Sequence, residues 1–155
     1  MTDFEHAIVH AFNDFFEEKD LIGYAYRRKQ QKYTSQVVDV LVDSPDIGYL
    51  AIECKSKKAE YGKRINFKSA FPSTDEGHQI PRTSRFAEKT GRTPLLAIEY
   101  RHGRGQPKEA NIFEWKKVEE LYARDEAKSF TPEDLKEYRY NVIREGSNYK
   151  LREEL

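Results

Sequence analysis

The chain has 155 residues, with 27 Lys and Arg set against 27 Asp and Glu, and it is 35% charged and 37% hydrophobic. A chain of this length is expected to form one domain with a lean core, to which ten Tyr and nine Phe contribute large buried areas. Disordered chains are poor in aromatics and carry charge of one sign, so disorder is excluded. Apolar runs such as Leu95-Leu96-Ala97-Ile98 fall far short of the roughly 20 residues a spanning helix needs. The start, Met1-Thr2-Asp3-Phe4-Glu5, lacks the basic and apolar regions of a signal peptide, and Cys54, the one cysteine, has no disulfide partner. A soluble, cytoplasmic, single-domain protein with no membrane partner is expected.

Phe4, Ile8, Phe12 and Phe15 or Phe16 recur at helical spacing, which predicts an amphipathic helix over residues 3–18 capped by Thr2 or Asp3. Leu21 to Arg28 has strand character. Gln36 to Val42 is rich in β-branched residues and reads as a strand buried on both faces. Ser44 to Gly48 is a turn by composition, and Tyr49 to Lys55 is the second arm of an antiparallel hairpin. Ile65 to Lys68 reads as a short strand and Phe71 to Thr74 as a loop. Gln79 to Lys89 reads as a helix with Pro81 in its first turn, closed by Gly91. Pro94 to Tyr100 is a buried strand, Arg101 to Lys108 a basic loop, and Ile112-Phe113 an edge strand. Trp115 to Ala127 and a segment opening at Thr131-Pro132 read as helices, with a polar tail that frays. This order predicts an α/β sandwich around a mixed sheet, with a core over about 3–114 and a helical extension over 115–155.

The balanced charge is unevenly distributed. Residues 1–23 carry one Lys against six acids, residues 24–117 carry 19 bases against 11 acids, and residues 118–155 carry 7 against 10. A basic middle suits a polyanion on one face, although a solvated charged face is the simpler alternative. Its densest clusters are Arg27-Arg28-Lys29 with Lys32, and Lys55, Lys57, Lys58, Lys63, Arg64 and Lys68.

The most informative spacing joins Asp39, inside an apolar strand, to Glu53-Cys54-Lys55 at the end of the next. Alternate strand residues share a face, so Glu53 and Lys55 project together, Cys54 faces the other way, and a hairpin brings Asp39 beside Glu53. Ionised groups in such strands need compensation. One form is a structural ion pair. The other is a divalent metal held by the two carboxylates, with the lysine offsetting charge, and the basic surroundings favour it. His6 and His10 sit four apart without a third ligand; one is expected to be partly buried and the other exposed. His78 reads as solvated and Cys54 as a small buried hydrophobe.

These residues resemble the PD-(D/E)XK nuclease superfamily, with Asp39 as the first acid and Glu53-Cys54-Lys55 as E-x-K. In more detail the chain is similar to the archaeal Holliday junction resolvases. That likeness rests on Glu5 near the start of the first helix, Thr34-Ser35-Gln36 before the first acid, Ile65-Asn66-Phe67-Lys68, Gln79-Ile80 and Pro94 to Ile98. It spans roughly residues 4–100; Val38 replaces a common Pro, the segment between Lys55 and Gln79 is longer, and the tail after Trp115 is additional. The resemblance implies a restriction-endonuclease-like α/β/α sandwich with a central mixed β-sheet, and a metal-dependent, structure-selective DNA endonuclease acting as a homodimer on branched DNA. It further implies Mg²⁺ or Mn²⁺ held by Asp39, Glu53 and the backbone carbonyl of Cys54, with Glu5 assisting. Lys55 would orient the attacking water, Gln79 would steady Lys55 or a metal-bound water, and Tyr33, Tyr61 and Phe67 would stack on unpaired bases, with core packing preferred for Phe67. Arg27, Arg28, Lys29, Lys57, Lys58, Lys63, Arg64 and Lys68 would neutralise phosphates. The alternatives are a nuclease for other DNA or RNA substrates and a catalytically idle nucleic-acid-binding module. Trp115, Val118, Leu121 and Tyr122 serve equally as dimer contacts or core.

Overall fold

The computed structural model describes residues 3–28, 37–60, 62–124, 128–146 and 148–153. Lys29, Lys32, Tyr33, Thr34-Ser35-Gln36 and Tyr61, singled out above, lie outside the described residues, as does Ala127.

Helix α1 (Asp3–Glu18) buries Phe4, Ile8, Ala11, Phe12, Phe15 and Phe16, the stripe its spacing predicts. After it come β1 (Tyr24–Arg27), β2 (Val40–Asp43) and β3 (Leu50–Lys58), paired antiparallel in that order. Short elements follow: β4 (Ile65–Asn66), α2 (Phe67–Ala70), β5 (Ser73–Thr74) and β6 (Gly77–His78). They lead to α3 (Gln79–Thr90) and to β7 (Thr93–Arg101), which runs parallel to β3. Helix α3 carries Pro81 in its first turn and ends on Gly91, whose left-handed φ of 68° suits a residue without a Cβ. Last come β8 (Glu109–Glu114), α4 (Trp115–Tyr122), β9 (Ser129–Phe130), α5 (Pro132–Leu135), β10 (Tyr138–Glu145) and β11 (Asn148–Glu153).

Seven strands form one mixed sheet in the order β1-β2-β3-β7-β8-β10-β11. Helix α1 packs on one face against Val40, Val42, Leu50, Ile52, Leu95 and Ala97. Residues of α2, α3 and α4, among them Phe67, Ile80, Trp115 and Val118, pack with Leu96 and Ile98 on the other. The layering is that of a restriction-endonuclease-like α/β/α sandwich, as expected. At the β1 edge, Asn13 of α1 uses its side-chain amide as a strand would: Nδ2 donates to the Ala25 carbonyl at 3.0 Å and Oδ1 accepts from the Ala25 N–H at 2.8 Å. Gly23 permits the approach of α1 to this edge, because a Cβ there would lie 2.3 Å from the Phe16 ring. Among the described residues no helix is long and apolar enough to cross a membrane.

Three expectations are corrected. Strand β2 begins at Val40, not near residue 36, and Asp39 sits at the bend before it. The Asp39 carboxylate accepts the Cys54 N–H at 2.9 Å, a donor that a strand carbonyl would otherwise take, so the ladder ends where the side chain intervenes. Ile112-Phe113 lies in β8, which is interior to the sheet, between β7 and β10. The helical extension over 115–155 is replaced beyond α4 by a single turn, α5, and a hairpin of two strands, β10 and β11. Thr131 and Asp134 do form a reciprocal capping box, but no helical repeat follows it. Tyr140 and Val142 are instead buried at alternate positions, with Tyr140 edge-on to Phe12 and Tyr149 edge-on to Phe4. The hairpin thus covers aromatic surface that α1 would otherwise expose.

Candidate active site

Strand β3 starts in the core and emerges from it: Leu50 to Glu53 are buried, and from Cys54 to Lys58 the chain opens toward solvent. The charged residues of Glu53-Cys54-Lys55 sit at that transition. Register pairs Val40 with Ile52, which sets Asp39 beside Glu53, and the Asp39 N–H donates to the Ile52 carbonyl at 3.0 Å. Glu53 and Lys55 share the face covered by α3, and Cys54 packs toward the α1 core, as strand alternation requires.

Lys55 is held from three sides. Its Nζ lies 3.0 Å from Glu53 Oε2, donates to Gln79 Oε1 at 3.3 Å, and stands 4.7 Å from the centre of the Phe71 ring. Gln79, only 4% exposed at the first turn of α3, donates through Nε2 to the Val37 carbonyl at 3.2 Å. One amide thereby joins the approach to Asp39 with the lysine of the neighbouring strand. Thr83 reaches the same carbonyl at 3.3 Å.

The carboxylates form a chain. Asp39 is in side-chain hydrogen-bond contact with Glu53 and with Glu5 of α1. Burial, followed by the Glu53 charge, raises the Asp39 carboxyl from its ordinary 3.8 to about 7, against the lowering effects of the Cys54 N–H and Lys55. Burial and then Asp39 raise Glu5, which Arg27 partly offsets through a 3.0 Å ion pair from Nε to Oε2. The Cys54 thiol is pushed well above its ordinary range by burial and by all three acids, so it is a poor nucleophile. Among the described residues no group of three His, Cys, Asp or Glu side chains is arranged to hold a metal ion.

The basic residues divide. Arg27 is engaged with Glu5 and lies 3.3 Å from His6, and the Arg28 guanidinium stacks on Phe86 at 4.4 Å. Lys57 donates to the Arg64 carbonyl, Lys63 pairs with Glu109, and Arg64 donates to Ser129 Oγ at 2.9 Å. Lys58 and Lys68 are exposed. His6 and His10 are both exposed, correcting the expectation that one is partly buried. His78 is not simply solvated either: it caps α3 by accepting the Ile80 N–H at Nδ1. Trp115 and Val118 are core residues and offer no contact surface.

Two elements of this arrangement escaped the sequence reading. Phe71 lies in a segment read as a loop, and the Val37 carbonyl has no side-chain signature. Proximity of Gln79 to Lys55, by contrast, is what the family resemblance implies.

No family model and no curated protein sequence matches the chain. Among solved structures it is similar to Archaeoglobus fulgidus Hjc, a Holliday junction resolvase from an archaeal hyperthermophile. The identity is 16% and the TM-score 0.50, over 81% of this chain and 89% of that one. A likeness at this identity establishes a shared fold.

Proposed function

We propose that the chain is a metal-dependent, structure-selective DNA endonuclease of the Holliday-junction-resolvase type, hydrolysing phosphodiester bonds at Asp39, Glu53 and Lys55. The observation that carries this reading is the hydrogen-bond contact between the half-buried Asp39 carboxyl and the buried Glu53 carboxyl, with Lys55 3.0 Å from Glu53, where β3 leaves the core. A structural ion pair needs one acid for one base. Here a second acid is buried at a cost that raises its pKa to about 7, and a divalent cation is the compensation such a pair of oxygens fits. Asp39, Glu53 and the Cys54 carbonyl would hold Mg²⁺ or Mn²⁺, with Glu5 beside Asp39 as a further oxygen donor. When bound, the ion would supply Lewis-acid stabilisation of phosphate charge.

The chain's own groups have separable tasks. Lys55, fixed by Gln79 and Phe71, presents its ammonium to the attacking water and to charge accumulating on the phosphoryl oxygens. Gln79 acts by positioning Lys55. Lys58 and Lys68, being exposed, contribute non-specific phosphate contacts. Arg27 belongs to the carboxylate cluster more than to the DNA surface. Paired nicks in a four-way junction need two active sites, and a homodimer supplies them.

The test is a substrate panel of a four-way junction, matched linear duplex and single strand, cut in Mg²⁺ or Mn²⁺ by wild type and by Lys55→Ala. Paired nicks in the junction alone, absent in the variant, are expected. Cutting of linear or single-stranded DNA would move the substrate away from junctions, and binding without cutting of any member would leave only a binding module.

A further inference from the structure

Two hollows, one of them lined by Lys55, share Asn66 and Ser69 as a common wall. The smaller, about 290 Å³, runs along Lys55, Ser56 and Lys57. The larger, about 880 Å³, has Phe67, His78 and Tyr122 as its apolar lining and Lys68 and Lys128 as its charged residues. Among the described residues no acid lines either hollow. A ligand for this lining is anionic and also has a flat apolar part.

The aromatic wall is set in place by its own contacts. His78 Nδ1 accepts the Ile80 N–H at 3.2 Å, so the ring donates through Nε2 to the Phe67 carbonyl at 2.9 Å. Both nitrogens are spent, leaving His78 no capacity to ligate a metal or relay a proton. Its ring instead stacks on Tyr122, with centroids 4.6 Å apart and planes 21° from parallel. Phe67 holds Tyr122 edge-on at 5.3 Å.

We propose that this cleft binds an unpaired nucleotide of the substrate strand, its base against the Tyr122–His78 pair and its phosphates between Lys68, Lys128 and the lysines leading to Lys55. Duplex bases are stacked inside the helix and cannot present a face to such a wall, whereas an unpaired base can. The two hollows adjoin at Asn66 and Ser69, so a strand with one nucleotide in the larger can carry its neighbouring phosphate along the smaller to Lys55. The inference rests on the nuclease reading above and adds that the branched substrate presents an unpaired nucleotide near its branch point.

The test is fluorescence anisotropy in EDTA, comparing a labelled duplex bearing a single-stranded overhang with a blunt duplex of equal phosphate number. Wild type is expected to favour the overhang. Tyr122→Leu should weaken overhang binding at least about fivefold, the lower end of the loss of one base–aromatic stack, while blunt binding stays unchanged. Tyr122→Phe should behave as wild type. Lys68→Ala combined with Lys128→Ala, both exposed positions, should reduce the overhang preference even if Tyr122→Leu proves unfolded on melting. Equal binding of the two DNAs by wild type, or a preference that survives both Tyr122→Leu and the double lysine variant, would overturn the proposal. Overhang preference without cleavage of any DNA would discard the nuclease reading and keep the cleft. Cleavage without overhang preference would do the reverse.

Discussion

Replacing Asp39 by Asn should make the metal-free protein more stable at pH 8 while abolishing the proposed cleavage activity. The folded chain raises this carboxyl from 3.8 to about 7, mainly through burial and the neighbouring Glu53 charge. A raised pKa means that the folded state binds the proton more tightly than the unfolded state. The resulting stability is present in full below about pH 3.8 and is lost as pH rises through about 7. Above that point the charged form costs about 4 kcal/mol relative to the protonated one, at 1.36 kcal/mol per pH unit. Asn imitates the protonated acid: its oxygen can still accept the Cys54 N–H, and its NH₂ can donate to Glu53. A gain of about 2–4 kcal/mol at pH 8 is expected, equivalent to roughly 5–15 °C in Tm for a chain of this size. Thermal melts of wild type and Asp39→Asn in EDTA from pH 4 to pH 9 measure it, and the difference should shrink toward pH 4. Added Mg²⁺ should raise the wild-type Tm by mass action and leave the variant unmoved. A lower Tm for Asp39→Asn at pH 8 would show that the carboxylate is a net stabilising ion-pair partner, and the argument for a metal would lose its basis.

Gln79→Ala should lower the single-turnover cleavage rate about tenfold, the equivalent of one hydrogen bond to a charged group. Its DNA affinity should hold, which separate rate and binding measurements would show. Tyr149→Phe removes the hydroxyl that donates to Glu99 Oε2 at 2.7 Å, leaving a buried carboxylate oxygen short of a donor. A loss of about 1–3 kcal/mol in urea unfolding is expected. Gly23→Ala forces a Cβ to within 2.3 Å of the Phe16 ring unless something shifts. Overpacking of this kind should cost about 1–3 kcal/mol by the same assay.

The site was legible in the sequence wherever period alone decides geometry. Two-residue alternation in Glu53-Cys54-Lys55 and a hairpin of the right length were enough to bring Asp39 beside Glu53, whereas Gln79 was placed near Lys55 only by the family resemblance. The sequence did not reveal that Asp39 ends its own strand, because the cause is a side chain accepting an N–H fifteen residues away in the chain. The C-terminal hairpin was hidden for a different reason. Thr131-Pro132-Glu133-Asp134 gives a strong local helix signal, and the competing alternation of Tyr138, Tyr140 and Val142 is diluted by charged neighbours on the solvent face. Only the aromatic surface of α1, unsatisfied by β1 to β3 alone, calls for two more strands. The basic residues show the same limit: composition indicated a polyanion surface, yet Arg27 and Lys63 turned out to be paired with Glu5 and Glu109.

We propose above that Asp39, Glu53 and Lys55 form a metal-dependent phosphodiesterase centre. The most direct test is single-turnover cleavage of labelled branched DNA by wild type and Glu53→Gln, each in Mg²⁺ and in EDTA, with DNA binding measured on the same preparations. Cutting by wild type in Mg²⁺ only, with Glu53→Gln binding DNA but not cutting it, is the predicted result. Cutting in EDTA, or a Glu53→Gln protein as active as wild type, would contradict it.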